Sequence, residues 1–319
     1  MTHLEVLRAG IHAGVQDLGR PGHRDLGVPL SGALDPLTLE LANALVGNPP
    51  GAGAIELLYG GITLCAREGA VRFAFGGTTG RLACHDGTLR DIPPWRSAVL
   101  GPDDTLTLAA PSNTAAAYLA IEGGFALAPV LGSVATYAPC QLGGWQGRLL
   151  LRGDRLPLVA TAPTPGRERM MMHAFEPTAP ALLRIMAGPQ HARFVRGALD
   201  ALTGSPYRVT PSSNRTGLRL DGALLQHAAG HDLLSEGVAT GSLQVPGSGQ
   251  PVLLIADHPT VGGYPKIATV IGADLAAAGR LRIGASVRFA LVDESHARIA
   301  RIAASAERAA LLASIRHAD

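Results

Sequence analysis

Glycine or proline recurs at short intervals along most of this chain up to Gly284, with 40 glycines and 23 prolines among 319 residues. In a helix interior these residues cost about 1 and about 3 kcal/mol relative to alanine. Short strands joined by tight turns make use of both. The stretch from 235 to 275 shows the pattern most clearly. Residues 252–256 (VLLIA) form a continuous apolar run between Pro251 and Asp257, the signature of a buried strand. Residues 242–245 read as a second strand, with Pro246-Gly247-Ser248-Gly249 turning the chain between the two. Asp257-His258-Pro259 then leaves the core, and Gly262-Gly263-Tyr264-Pro265-Lys266 follows. A carboxylate, an imidazole, a phenol and an ammonium on loops held by buried strands is a common way to build a site. Adjacent glycines admit a close approach or a positive φ. The plainer alternative is a β-hairpin with a decorated surface loop.

Composition narrows the function classes. Hydrophobic residues make up 47% and charged residues 16% of the chain, a globular balance far from disorder. The length is enough for two sizeable cores. Lys and Arg exceed Asp and Glu by 27 − 25 = 2, which argues against nucleic acid as a partner. No apolar run approaches the ~20 residues of a membrane span, and no secretory signal is visible. A cytoplasmic location is expected. Cys65, Cys84 and Cys140 are odd in number and widely spaced, so buried reduced thiols are expected. The histidines show no ligand spacing on one element, so no metal is expected.

In chain order, residues 4–9 open as a strand. Gln16, Asp17 and Arg20 follow in a turn-rich loop, either as a structural Asp17–Arg20 pair or as readers of a planar, hydrogen-bonding ligand. Asp35 is a good N-cap for a helix over 35–46, with Pro36 at its first position and Gly47 past its end. Leu37, Leu41, Ala44 and Leu45 form its apolar stripe. Strands are expected at 55–58, 62–64, 71–75, 98–109 and 115–121. Residues 76–80 (GGTTG) lack a following Lys-Ser/Thr and read as a turn, not a phosphate loop. The domains expected are an N-terminal lobe at 1–160, a Pro-rich linker at 161–180, a C-terminal lobe at 181–293 and a final helix at 294–319. Within the second lobe, a helix is expected over 192–202 and strands at 182–186, 207–209, 218–220 and 287–292. The last helix carries Ile299, Ile302, Ala306, Ala309 and Ala313 on one side. Many short strands with few helices favour barrels or sandwiches.

Four segments taken together, residues 15–35 (VQDLGRPGHRDLGVPLSGALD), 41–48 (LANALVGN), 142–148 (LGGWQGR) and 235–275, resemble the biotin-dependent carboxyltransferase-like family. That family includes the C component of 5-oxoprolinase, allophanate hydrolase subunit 2, the carboxyltransferase part of urea amidolyase and the regulator KipA. The resemblance implies a mainly β protein of two cyclophilin-like β-barrel lobes with a few helices. It implies a catalytic component that opens 5-oxoproline to L-glutamate with ATP bound by the assembly, beside an A-type and a B-type (KipI-like) partner protein. Two alternatives stay open. One is biotin-dependent carboxyl transfer to urea or a similar amide, with the biotin on another chain. The other is non-catalytic regulation of a partner protein. Asn214 stands where the family usually has Asp.

The implied ligands are small and amide-like, and such groups need rigid paired donors and acceptors. Gln244 and Asn214 are expected to bind the amide, with Asp257 orienting or deprotonating an N–H. Lys266 and Arg215 would stabilise developing negative charge, with Tyr264 donating beside them. Gly262 and Gly263 admit the ligand, while Gln16, Asp17 and Arg20 would close the site from the other lobe. A mutual Asp257–Lys266 salt bridge is the structural alternative.

Overall fold

A computed structural model of the chain describes residues 2–166, 168–173 and 175–318. The chain divides into two compact units. The first comprises residues 1–20, 31–177 and 307–319; the second comprises 21–30 and 178–306.

Ten strands of the first unit open the chain: β1 (His3–Arg8), β2 (His12–Gln16), β3 (Ala54–Leu58), β4 (Ile62–Arg67), β5 (Val71–Gly76), β6 (Gly80–Ala83), β7 (Leu89–Ile92), β8 (Ser97–Leu100), β9 (Thr105–Leu108) and β10 (Ala116–Ile121). With β11 (Arg155–Pro157) they build a six-stranded sheet, β11-β1-β4-β9-β6-β7, and a five-stranded sheet, β2-β3-β10-β5-β8. Both sheets contribute to one core that includes Val6, Leu64 and Leu106 from the first and Ile55, Phe73 and Leu119 from the second. The single strand expected over 98–109 is two strands. Asp104 Oδ2 accepts from the Gly101 N–H at 3.0 Å, and the Asp104 N–H donates back to the Gly101 carbonyl, so a local turn divides it.

Helix α1 (Pro36–Leu45) forms as its ends predict. The Asp35 carboxylate accepts from the Thr38 N–H at 3.3 Å and from the Thr38 hydroxyl at 2.6 Å, Pro36 occupies the first position and Gly47 takes φ +76°. The helix packs on β10 and β5, burying Leu39, Leu41, Ala42 and Leu45; of the expected stripe, Leu41 and Leu45 are buried while Leu37 and Ala44 are only partly so. Each fully buried leucine there contributes about 1.5–3 kcal/mol. Beneath it, the Tyr118 hydroxyl donates to Glu56 Oε2 at 2.7 Å and accepts from the Asp35 N–H at 2.8 Å, while Leu34 N–H donates to Glu56 at 2.9 Å. Burial, together with the neighbouring Glu56 carboxylate, pushes the Tyr118 hydroxyl well above its usual pKa.

The second unit is built from β13 (Leu182–Ala187), β14 (Tyr207–Val209), β15 (Gly217–Asp221), β16 (Glu236–Gly237), β17 (Ser242–Gln244), β18 (Val252–Leu254), β19 (Val261–Gly262), β20 (Lys266–Val270) and β21 (Ser286–Leu291). Seven of these close a barrel in the order β13-β20-β17-β18-β15-β14-β21, and a parallel β13–β21 pairing makes the seam. The expected β17–β18 hairpin is present, with Leu243 opposite Leu253 and Gly249 N–H bonded to the Pro246 carbonyl. Strands β16 and β19 pair outside the barrel. The helix expected over 192–202 is replaced by a single 3₁₀ turn, His191–Arg193, and a short helix, α2 (Ala198–Gly204). Gly197, at φ +86°, divides them. After the one-turn helix α3 (Leu275–Ala278), the long helix α4 (Glu294–Ala313) is capped by Asp293, which accepts from the His296 N–H at 2.9 Å.

Two expectations fail near the C-terminus. The α4 stripe is not a buried face: Ile299 and Ile302 are 63% and 62% exposed, and the buried residues are Ala300 and Leu311. High helix propensity and a capped start let an alanine-rich segment form without burying that stripe. The chain also continues past α4 as β22 (Ile315–His317), which pairs with β12 (Arg169–Met171) inside the stretch expected to be a linker. Of the three unpaired cysteines only Cys65 is buried; Cys140 is exposed. Among the described residues no helix is long and apolar enough to cross a membrane.

Candidate functional site

The second unit gathers most of the expected residues, and it pairs them in an unexpected way. On β20, Lys266 lies opposite Gln244 of β17, beside a register shift between Leu243 and Gln244. The Lys266 side chain is only 3% exposed, and its ammonium is held by Glu236 of β16, whose side chain is 45% exposed. Gln190 braces both: its Oε1 accepts from the Lys266 backbone N–H at 3.2 Å, and its Nε2 donates to Glu236 Oε1 at 2.6 Å. The bond from Lys266 holds the Glu236 carboxyl below its usual range. Gln244 is buried, and its Nε2 donor has no hydrogen-bond partner. A buried unpaired donor is costly unless a ligand meets it.

Gly262 packs against that amide. It sits opposite Glu236 in the β16–β19 pair. A Cβ at this position would overlap Gln244 Nε2 and come within 3.0 Å of Val238 Cγ2. Close approach is therefore the role of this glycine. Neither Gly262 nor Gly263 takes a positive φ. Tyr264 is 41% exposed beside them.

Asp257 and Lys266 are not each other's partners, which corrects the salt-bridge alternative. Asp257 is gripped by Arg215 at both oxygens, Nε to Oδ2 at 2.8 Å and Nη2 to Oδ1 at 3.2 Å, with side-chain exposures of 5% and 8% for Arg215 and Asp257. A carboxylate bound in this bidentate way orients the guanidinium, and both of its oxygens are engaged where orienting or deprotonating a ligand N–H was expected of it. Asn214 also departs from expectation. It is exposed, and its Oδ1 accepts from the Thr216 and Gly217 N–H groups at 2.9 and 3.3 Å, so it closes a local turn.

Next to Asp257 lies His258, to which the sequence pattern assigned no role of its own. It is fully buried. Its Nδ1 is 2.7 Å from the Pro259 carbonyl, which can only accept, so Nδ1 carries the proton. Its Nε2 then accepts from the Thr240 hydroxyl at 2.9 Å and faces Arg24 Nη1 at 3.4 Å. Burial, with the Arg24 cation adding to it, pushes the imidazole pKa down, so the ring is neutral. Arg24 also donates to the Val238 carbonyl, and with Gly237, Ala239, Thr260 and Val261 it borders an open cavity of about 710 Å³. Residues 21–30, which carry Arg24, belong to this unit although they lie far from it in sequence. Nothing in the local sequence pattern of Gln190, Glu236, Thr240 and Arg24 separates them from surface polar residues.

Gln16, Asp17 and Arg20 lie in the first unit and are all buried there. Gln16 Nε2 donates to the Thr136 carbonyl at 3.1 Å. Asp17 accepts from Ser133 Oγ and from the Val134 and Gly19 N–H groups, each at 2.7 Å. Arg20 donates to the Ala135 carbonyl. All three brace the segment 133–136, in place of the ligand contacts expected of them. Among the described residues no group of three or more His, Cys, Asp or Glu is placed to hold a metal ion.

The fold is that of a carboxyltransferase-domain protein. The profile of the family "Carboxyltransferase domain, subdomain A and B" matches residues 26–291, and the chain belongs to that family. It is similar to the C component of the 5-oxoprolinase of Escherichia coli, at 36% identity over 90% of each chain. It is also similar to urea amidolyase of Saccharomyces cerevisiae, at 28% identity over 90% of this chain but only 16% of that one. Among solved structures, Kluyveromyces lactis urea amidolyase matches with a TM-score of 0.83 and 26% identity, over 97% of this chain and 20% of its own. The crystallised protein TTHA0988 matches with a TM-score of 0.79 and 34% identity, and this chain spans 56% of its length.

Proposed function

We propose that this chain is the C-type component of an ATP-dependent 5-oxoprolinase, working with A-type and B-type partner proteins. The observation that carries this reading is the buried Gln244 amide, donor unpaired, packed against Gly262 and paired across the strands with Lys266. Support comes from the similarity to the 5-oxoprolinase C component along 90% of both chains. Opening a lactam adds water across its C–N bond: the water oxygen bonds to the carbonyl carbon, the water proton goes to the departing nitrogen, and negative charge passes onto the carbonyl oxygen. Gln244 Nε2 and Lys266 Nζ supply donors for that oxygen, with Gln190 and Glu236 fixing the ammonium. Arg215, oriented by Asp257, supplies a second cation for a carboxylate or acyl-phosphate group. His258 acts as a positioning residue for Arg24 and Thr240. The ATP is bound by the assembly.

Gln244→Leu tests the reading cleanly, because it removes a donor that leaves no protein partner unpaired. In ATP-dependent glutamate release by this chain with its partner proteins, the variant is expected to lose about 10²-fold in turnover while keeping its stability. Unchanged turnover would sink the assignment of Gln244. The match to urea amidolyase favours a second reading, carboxyl transfer from carboxybiotin carried on another polypeptide. Turnover of urea with carboxybiotin, and none of 5-oxoproline, would decide for it.

A further inference from the structure

The first unit holds a second pocket, of about 160 Å³, lined by Gly77, Thr78, Trp95, Thr114, Phe175 and Glu176 among others. That volume is about five waters' worth, enough for a small organic molecule. Its walls are built with unusual care. Trp95 sits at φ +63°, a conformation that is costly for a bulky residue. It is held there by its N–H to the Phe75 carbonyl and by its own carbonyl, which accepts from the Met171 N–H, both at 2.9 Å. The indole lies where a side chain at position 76 would go: a Cβ on Gly76 would come within 2.7 Å of Trp95 Cζ2 and closer still to two other ring carbons. Phe175 meets the indole at 5.5 Å between centroids, tilted by 57°. Both rings also pack on Leu41, Met171 and Leu311, which makes the aromatic corner rigid.

The polar lining consists largely of groups that can accept hydrogen bonds. Thr114 is 2% exposed, lines the pocket, and its Oγ1 has no hydrogen-bond partner. Asn113 offers a carboxamide, and Glu176 is the one charged residue among the lining groups. Two aromatic rings, a buried hydroxyl and a carboxylate together select a cation that carries N–H donors. They disfavour anions such as carboxylates and phosphates. We propose that this pocket is a binding site for a small primary alkylammonium ion, with the charge against the Trp95 indole and Glu176 and one N–H on Thr114 Oγ1. The site lies wholly in the first unit and does not depend on the chemistry assigned to the second.

The chain has two tryptophans, so a nitrogen-15 spectrum of the full chain shows two indole N–H signals, and Trp95→Phe assigns them. Titration with n-propylammonium chloride is expected to move the Trp95 signal saturably and to leave the Trp145 signal in place. n-Propanol, the neutral isostere, and sodium chloride at matched ionic strength are expected to move neither. Trp95→Leu, followed by the backbone amide shift of Thr114 because the indole reporter is lost, should weaken binding by about two- to thirtyfold, and Thr114→Val, which keeps the shape and removes the acceptor, by about fivefold or more. Nα-acetyl-lysine methylamide in place of the free amine separates a lysine side chain from a small metabolite as the source; binding of either supports the site. No saturable shift, equal binding of propanol, or unchanged affinity in Thr114→Val would overturn the proposal.

Discussion

Asp257→Asn distinguishes a carboxylate that reacts from one that holds a neighbour. In the structure both Asp257 oxygens are taken by Arg215, and both side chains are almost fully buried. Asparagine keeps the shape but removes the charge, leaving the guanidinium buried beside a neutral amide. Breaking a buried pair by removing one partner costs about 3–5 kcal/mol, most of it from the charge left behind. At a urea dependence of about 2 kcal/mol per molar, that lowers the unfolding midpoint by about 1.5–2.5 M. Both tryptophans, Trp95 and Trp145, lie in the first unit, so fluorescence is the wrong probe. Hydrogen exchange of amides in β15, β17, β18 and β20, followed against urea, reads the barrel directly. Asp257→Asn/Arg215→Met should recover much of the loss, because the orphaned charge is gone. A midpoint unchanged in Asp257→Asn, with turnover abolished, would refute this reasoning and return Asp257 to the role of proton acceptor.

Three further outcomes follow from the geometry. Gly262→Ala should cost about 1–3 kcal/mol by overpacking and impair turnover, and adding Gln244→Ala should relieve the stability loss by urea denaturation; an additive double variant would contradict the close-approach reading. The lowered pKa of His258 means that the unfolded chain binds its proton more readily. The neutral, folded form is therefore fully favoured above about pH 6.5, and stability falls as pH drops from there toward the depressed folded value. His258→Asn should flatten that acid slope in pH-dependent unfolding, and an unchanged slope would exclude His258 as its source. Tyr118→Phe leaves the Asp35 N–H and a Glu56 oxygen each one bond short, so tryptophan-detected unfolding should register a loss of about 1–3 kcal/mol; no loss would mean that the network does not hold the first unit.

Much of the local structure was legible in the sequence. Asp35, Pro36 and Gly47 bound α1 because capping depends on residues within one turn. Pro246-Gly247-Ser248-Gly249 marked the hairpin between β17 and β18, and the apolar runs marked most of the strands. Family membership was legible too, since it rests on ordered segments of the chain itself. The charge partners were not. Arg215 finds Asp257 across 42 positions and Lys266 finds Glu236 across 30, and which charges meet depends on strand order and on the register shift beside Gln244. The same holds for Gln16, Asp17 and Arg20, which look like ligand readers in sequence and serve as braces for 133–136 in the fold. His258 became a neutral, oriented imidazole only when Arg24, Thr240 and the Pro259 carbonyl were folded around it. Local patterning acts over a few residues, through backbone sterics and caps. Burial and electrostatic pairing act through space, and only the closed barrel determines which distant side chains share it.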